Sequence, residues 1–282
     1  MKRQTKKIRR GVLVCLAIAY FGYSLYSNES TLTGVKNTIN QMLVKYGIAK
    51  TPKQLVNTDQ YLPEALDWSF EKYPNYYKVL GRSNIKPSDF PKAGTIIYGG
   101  KDALGRTLEV KGSLTFANVK GSYGSRGQFA ENDNPSGWQG NETIKGTDGQ
   151  YRIKPYRIDW LYGKFYNGAF FNKSHLIADS LGGRATSDNA VTASRTQNVG
   201  GSDNQGGMRY PEQKAQQYLE SRQSSILYYA SIPIYKDNEL VPRAVVVSLM
   251  SDDKTIDESV IVYNTANGYT INYQDGTFFK VN

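Results

Sequence analysis

FFNKSHLIADSLGGRATSDNAVTASRTQNVGGSDNQGGMRYPEQKAQQYLESR, residues 170–222, is the stretch on which the reading of the fold turns. It holds His175, the one histidine of the 282-residue chain. An aromatic-rich run and Lys173 precede it, and Arg184, Asn189, Arg195 and Asn198 follow. Glu212 then opens a helix predicted from 211 to about 222, with Pro211 in its favourable first turn. On either side the pattern changes to strands. TIIY at 95–98 is short and β-rich, and TLEVKGSLTFANV at 107–119 alternates apolar with polar residues. Downstream, 226–235, 241–250, 259–263 and 269–273 read as further strands. Asp148-Gly149 and Asp275-Gly276 are hairpin-turn pairs. Residues 120–151 form a long polar, glycine-rich stretch carrying Trp138 in PSGWQGN, the composition of a functional or mobile loop. There is no internal repeat. The pattern predicts an α+β protein whose sheet-rich domain spans 91–282. A helical stalk or extension over 29–90 precedes it, with Val35, Ile39, Met42, Leu43 and Tyr46 on one helical face.

Composition sets limits on the chemistry. One cysteine, Cys15, excludes an internal disulfide framework and every multi-cysteine zinc site, and a single histidine excludes paired-imidazole catalysis. The formal charge of +10 comes from 35 basic and 25 acidic residues, but six of the basic ones lie in MKRQTKKIRR, residues 1–10. The remaining body is only mildly basic, which is compatible with a nucleic-acid ligand without demanding one. Residues 11–26, GVLVCLAIAYFGYSLY, carry no charge. A basic flank followed by such a run is the pattern of an export signal or signal anchor. At 1.5 Å per residue a helix over this run reaches roughly 24 Å, slightly short of a hydrocarbon core. The only A-x-A element, Ala17-Ile18-Ala19, leaves too short an apolar run before it. The reading is an uncleaved single-pass anchor at 11–28, with the basic arm 1–10 cytoplasmic and the rest of the chain outside the cell.

Hydrolysis of a phosphodiester requires a base with pKa near 7 to take a proton from the attacking water. It also requires a hard Lewis acid at the leaving oxygen, for which Mg²⁺ on oxygen ligands is suited. A carboxylate can hold the metal's waters, and Arg or Lys can neutralise the phosphate. One His, one Asn, one Glu and basic neighbours are a sufficient set, and this window offers them within about 40 residues. Read singly, each has a plain alternative. His175 before Leu176-Ile177 suits a partly buried structural histidine, Asn198 beside Gly200-Gly201 a turn cap, and Glu212 a charge on a helix dipole.

Taken together, these residues resemble the DNA/RNA non-specific endonuclease family of the ββα-metal type. The streptococcal branch with membrane-bound DNA-entry nucleases and secreted streptodornases is the most similar. The family's D-R-G-H element corresponds to Asn172-Lys173-Ser174-His175, which keeps the histidine and a positive charge and changes three of four positions. An N-x8-N spacing matches Asn189 and Asn198, and Glu212 stands fourteen residues beyond Asn198 in GGMRYPE. YGGKDALGRTLEV, residues 98–110, resembles an upstream strand and turn of the family. The match covers about 94–282.

The resemblance implies a central antiparallel sheet bearing a ββα-metal finger, with His175 at the end of one finger strand as general base. It implies Mg²⁺, with Mn²⁺ as a substitute, held by Asn198, with Glu212 in its shell. Lys173, Asn189, Arg195, Arg184 and Arg126 are the candidates for the substrate side, Asn189 also serving as a brace. The implied activity is endonucleolytic cleavage of DNA, with RNA left open, and with little sequence preference. The alternative is a degenerate member that binds polyanions at the cell surface without cutting them.

Overall fold

The computed structural model describes residues 58–124, 126–201 and 205–281. Apart from Asp102–Gly105, these fall in one compact unit, Gln54–Lys101 with Arg106–Asn282, which carries all the elements named below. The expected basic arm, the anchor at 11–28 and the stalk up to residue 57 lie outside the described residues. Among the described residues no helix is long and apolar enough to cross a membrane.

A short helix, α1 (Leu62–Leu66), leads into strand β1 (Tyr77–Gly81). β2 (Ile96–Tyr98) and β3 (Val110–Leu114) follow, then helix α2 (Phe116–Gly121). Two small hairpins come next, β4 (Thr143–Lys145) with β5 (Tyr151–Ile153), and β6 (Tyr156–Asp159) with β7 (Phe165–Gly168). The central segment is β8 (Phe171–His175), β9 (Ala190–Ser194), α3 (Arg195–Val199) and α4 (Arg209–Ser221). The chain ends in β10 (Leu227–Ile234), β11 (Ala244–Ser251), β12 (Asp257–Tyr263), β13 (Tyr269–Asn272) and β14 (Thr277–Lys280).

The main sheet is antiparallel, with order β1-β12-β11-β10-β3-β2. Its central strand β11, AVVVSLMS, is apolar on both faces because both faces are covered. Val245, Val247 and Leu249 face a core completed by Ala215 and Leu219 of α4 and by Leu176, Ile177 and Val191. Ala244 and Val246 face a second cluster with Ala65, Ile261 and Tyr263. Each fully buried Val or Leu contributes about 1.5–3 kcal/mol, so the two layers fix the sheet and the elements packed on it. A third, aromatic cluster joins Ile158, Phe170, Phe171 and Ile271 with Tyr156, Trp160, Tyr166 and Phe278. Phe170 and Phe278 stack at 3.8 Å between ring centres.

Two expectations change. The alternation over 107–119 predicts one strand, but the chain bends into α2 after Leu114. Thr115 and Asn118 form a capping box, with the Thr115 N–H donating to Asn118 Oδ1 at 2.9 Å, and this favours the helix start over continued pairing. The expected helical extension up to residue 90 is also cut short. β1 is an edge strand of the main sheet, with Tyr77 opposite Val262, and Trp68 and Tyr73 pack on the second cluster. The folded domain therefore starts well before residue 91. The hairpin signals are located as read: Gly149 and Gly276 have φ of 81° and 83°, in the turns of β4–β5 and β13–β14.

Candidate active site

β8 and β9 pair antiparallel, with Phe171 opposite Ser194 and His175 opposite Ala190. All five residues of β9 are buried, whereas β8 leaves Asn172, Lys173 and His175 partly open. Within β8 the buried residues are Phe171 and Ser174. The loop between the two strands is tied by Asn189, which is fully buried. Its Oδ1 accepts the Ile177 N–H at 3.1 Å, and its Nδ2 donates to the carbonyls of Ile177 and Arg184, each at 2.9 Å. This corrects Asn189's place among the substrate-side residues. Every polar atom of its amide faces backbone in the interior, which makes it a brace of the finger.

α3 follows β9 directly. Ser194 caps it, its Oγ accepting the Gln197 N–H at 3.1 Å. Asn198, half-buried near the end of this one-and-a-half-turn helix, is gripped from β8. Ser174 Oγ donates to Asn198 Oδ1 at 3.2 Å, and Asn198 Nδ2 points to Asn172 Oδ1 at 3.5 Å. The chain then crosses through glycines to α4. The Met208 N–H donates to the Gln197 carbonyl at 2.8 Å, seating the start of α4 against α3. Only glycine fits at 207, where φ is +55° and a Cβ would stand 2.2 Å from the Gln197 oxygen.

Glu212 lies in the first turn of α4 and is buried. Arg209 Nη1 reaches its Oε2 at 3.4 Å. Burial pushes the Glu212 carboxyl up to about 8, against the smaller opposing pull of Arg209. This burial favours the protonated carboxyl over the carboxylate while no further positive charge stands beside it. The donors fit a hard metal ion. Asn198 Oδ1 spends one of its two lone pairs on Ser174, and the buried Glu212 is oxygen-bearing and under-compensated. Among the described residues no group of three His, Cys, Asp or Glu side chains is placed to hold a metal.

His175 is half-buried at the end of β8, and its Nε2 is enclosed without a hydrogen-bond partner. Phe129 lies over the imidazole, 5.1 Å between ring centres at 46°. Desolvation holds the imidazole below the usual histidine range, Asp179 partly opposes this, and Arg126 adds to it. The shift favours the neutral form of the ring.

The long polar segment before β8 folds over this site. The Gly127 N–H donates to Asp179 Oδ1 at 3.0 Å, Thr192 Oγ1 donates to the Ser136 carbonyl at 2.8 Å, and Asp133 binds both the N–H and the hydroxyl of Ser187. Lys173 Nζ sits between Phe129 and Trp138, 5.2 and 5.6 Å from their ring centres, and donates to the Asp133 carbonyl at 3.0 Å. Its pKa is lowered by burial, with Asp133 opposing.

The basic candidates separate. Lys173 and Arg126 border His175. Arg195 starts α3, its guanidinium 5.4 Å from the Tyr166 ring centre. Arg184 is turned to other work, paired with Asp188 and stacked on Tyr98 at 3.9 Å. Sequence reasoning did not single out Asn172 and Ser174 as partners of Asn198, nor Phe129, Asp133 and Asp179 around His175. Asn172 and Ser174 were signalled by the altered four-residue element itself, whereas the loop residues carry no spacing signal because only tertiary folding brings them to β8.

Comparison with known proteins identifies the family. A family model described as DNA/RNA non-specific endonuclease matches residues 72–282. A deoxyribonuclease of Streptococcus dysgalactiae subsp. equisimilis is 33% identical over 268 residues, covering 82% of this chain and 81% of the relative. Among solved structures, Sda1 nuclease with bound zinc ion superposes with a TM-score of 0.68 at 33% identity, over 76% of this chain and all (100%) of the other. NucA from Streptococcus agalactiae with magnesium ion bound shares the fold, with a TM-score of 0.55 at 20% identity over 80% of this chain and 98% of the other. The chain belongs to the DNA/RNA non-specific endonuclease family, in its streptococcal DNA-entry nuclease and streptodornase-like branch, and is a phosphodiester-hydrolysing endonuclease.

Proposed function

We propose that this chain cleaves DNA with little sequence preference, with His175 as general base and a divalent cation, Mg²⁺ or Mn²⁺, held by Asn198 with Glu212 in its shell. The observation that carries the reading is that β8 bears at its end an imidazole whose Nε2 is enclosed without a hydrogen-bond partner and, through Ser174, also fixes the Asn198 amide oxygen. His175 takes a proton from the attacking water. Lys173 and Arg126 supply positive charge next to it, where a phosphate is drawn in. Asn189 keeps the finger loop rigid so that the His175 ring and the start of β9 hold their spacing. A bound cation supplies Lewis-acid stabilisation of charge at the phosphate and the leaving oxygen.

Relatives that carry zinc and a deoxyribonuclease name support a divalent metal and DNA as substrate. Binding rests on phosphate contacts and weakens with salt. The charge pattern of residues 1–28 supports a nuclease domain held outside the cell on a single anchor. Plasmid incubated with the chain, with Mg²⁺ and with EDTA, tests the reading: metal-dependent nicking of closed circles is expected. A chain that binds plasmid but leaves it closed under both conditions returns the reading to a non-cutting polyanion binder.

A further inference from the structure

The β6–β7 hairpin has a tip unlike the rest of the surface. Tyr162 has φ 59° and ψ 32° and is followed by Gly163 at φ 70°. Two consecutive left-handed residues make a turn for which Asn-Gly is the relaxed choice, and a bulky side chain in the first position costs about 1–2 kcal/mol. The ring held in this position is 87% exposed, so packing within the protein does not repay that cost. Phe165 beside it is 49% exposed, with the Arg157 guanidinium 3.8 Å from its ring centre. Lys164 lies between the two aromatics in sequence and is exposed, and Asp159, paired with Arg157 at 2.9 Å, is the one acid of the hairpin. An exposed aromatic by itself is ordinary. A strained aromatic set between cations on a short, stiff hairpin is the make-up of a stacking platform for nucleic-acid bases.

The hairpin is continuous with the active site. The Leu161 N–H donates to the Gly201 carbonyl at 3.3 Å, and Gly201 is three residues beyond Asn198. Three residues span at most roughly 11 Å. On the other side Tyr166 of β7 carries the Arg195 guanidinium and stacks on Trp160 at 6.0 Å. A strand whose phosphate sits at Asn198 therefore reaches the tip within a few nucleotides.

We infer that Tyr162, backed by Phe165 and Arg157, is a substrate subsite that stacks an unpaired base of the strand flanking the scissile phosphate. This rests on the reading of His175 and Asn198 as the cleavage site. It gives the enzyme a preference for single-stranded or frayed DNA, because a base inside a duplex has no free face to offer.

The test uses the full chain carrying Tyr162→Asn, a residue that tolerates the left-handed turn, so the variant should melt at or above the parent temperature. The KM for a single-stranded oligonucleotide is expected to rise about tenfold with kcat within twofold, and the KM for blunt duplex to change by less than threefold. Tyr162→Phe should restore the parent KM. The same ordering is expected for dye-labelled single-stranded oligonucleotide binding to His175→Ala chains with and without Tyr162→Asn. An unchanged single-strand KM in Tyr162→Asn, or equal losses on single strand and duplex, overturns the subsite while leaving the cleavage site intact. A parent chain that nicks plasmid but neither binds nor cuts the oligonucleotide removes the subsite alone, and one that cuts neither removes both.

Discussion

Replacing Ser174 by Ala removes one hydroxyl and tests how Asn198 is aimed. Ser174 is fully buried, and its Oγ donates to Asn198 Oδ1 at 3.2 Å. Losing a neutral hydrogen bond of this type costs about 0.5–1.5 kcal/mol. Most of that loss falls on the orientation of the Asn198 amide, because its other grip, on Asn172, is longer at 3.5 Å. With Asn198 as the cation ligand, Mn²⁺ affinity should fall by about two- to tenfold. Calorimetric titration of Mn²⁺ into the full chain measures this without turnover. The control is the cycle with Asn198→Ala: once the amide is gone, adding Ser174→Ala should cost no further cation affinity. Mn²⁺ affinity equal to the parent in Ser174→Ala, or an equal loss in both backgrounds, would refute the reasoning.

Asn189→Ala leaves the Ile177 N–H and two carbonyls unsatisfied inside the finger and should cost about 3 kcal/mol of stability, read by urea denaturation; a loss below about 0.5 kcal/mol would dispose of the bracing role. Phe129→Ala exposes the imidazole. Because desolvation lowers the His175 pKa, removing the ring should raise it, moving the acid limb of the kcat/KM profile to higher pH, and a limb that stays put or moves to lower pH contradicts the assignment. Gly207→Ala places a methyl 2.2 Å from the Gln197 oxygen at a positive φ and should lower both the melting temperature and the activity, while a variant as stable as the parent would show that α3 and α4 are not locked there.

Much of the proposed site was legible because its chemistry is written in few residue types. A lone histidine, and an asparagine and a glutamate at fixed spacing, restrict the choices, and β-rich runs around them predict a sheet-rich domain. The central strands read well since β10, β11 and β12 are long and apolar. What the sequence concealed depends on tertiary contact. The alternation through residue 119 hid a capping box that only Thr115 and Asn118 together reveal. β1 looked like part of an extension because its partner β12 lies far along the chain, Tyr77 pairing with Val262, and pairing at that distance leaves no local pattern. Phe129, Asp133 and Trp138 sit in a segment whose composition reads as loop, yet they cover β8 and set the surroundings of Lys173 and His175. Arg184 shows the reverse case, a cation close in sequence to the site but satisfied by Asp188 and Tyr98.

The central claim is that a single imidazole takes the proton from the attacking water. Nicking of supercoiled plasmid by the full chain and by His175→Ala, at saturating Mg²⁺ and with DNA affinity measured alongside, addresses it most directly. The account predicts a fall in turnover of about 10²–10⁴-fold with binding retained within a few fold. A His175→Ala chain that nicks plasmid at the parent rate would contradict it.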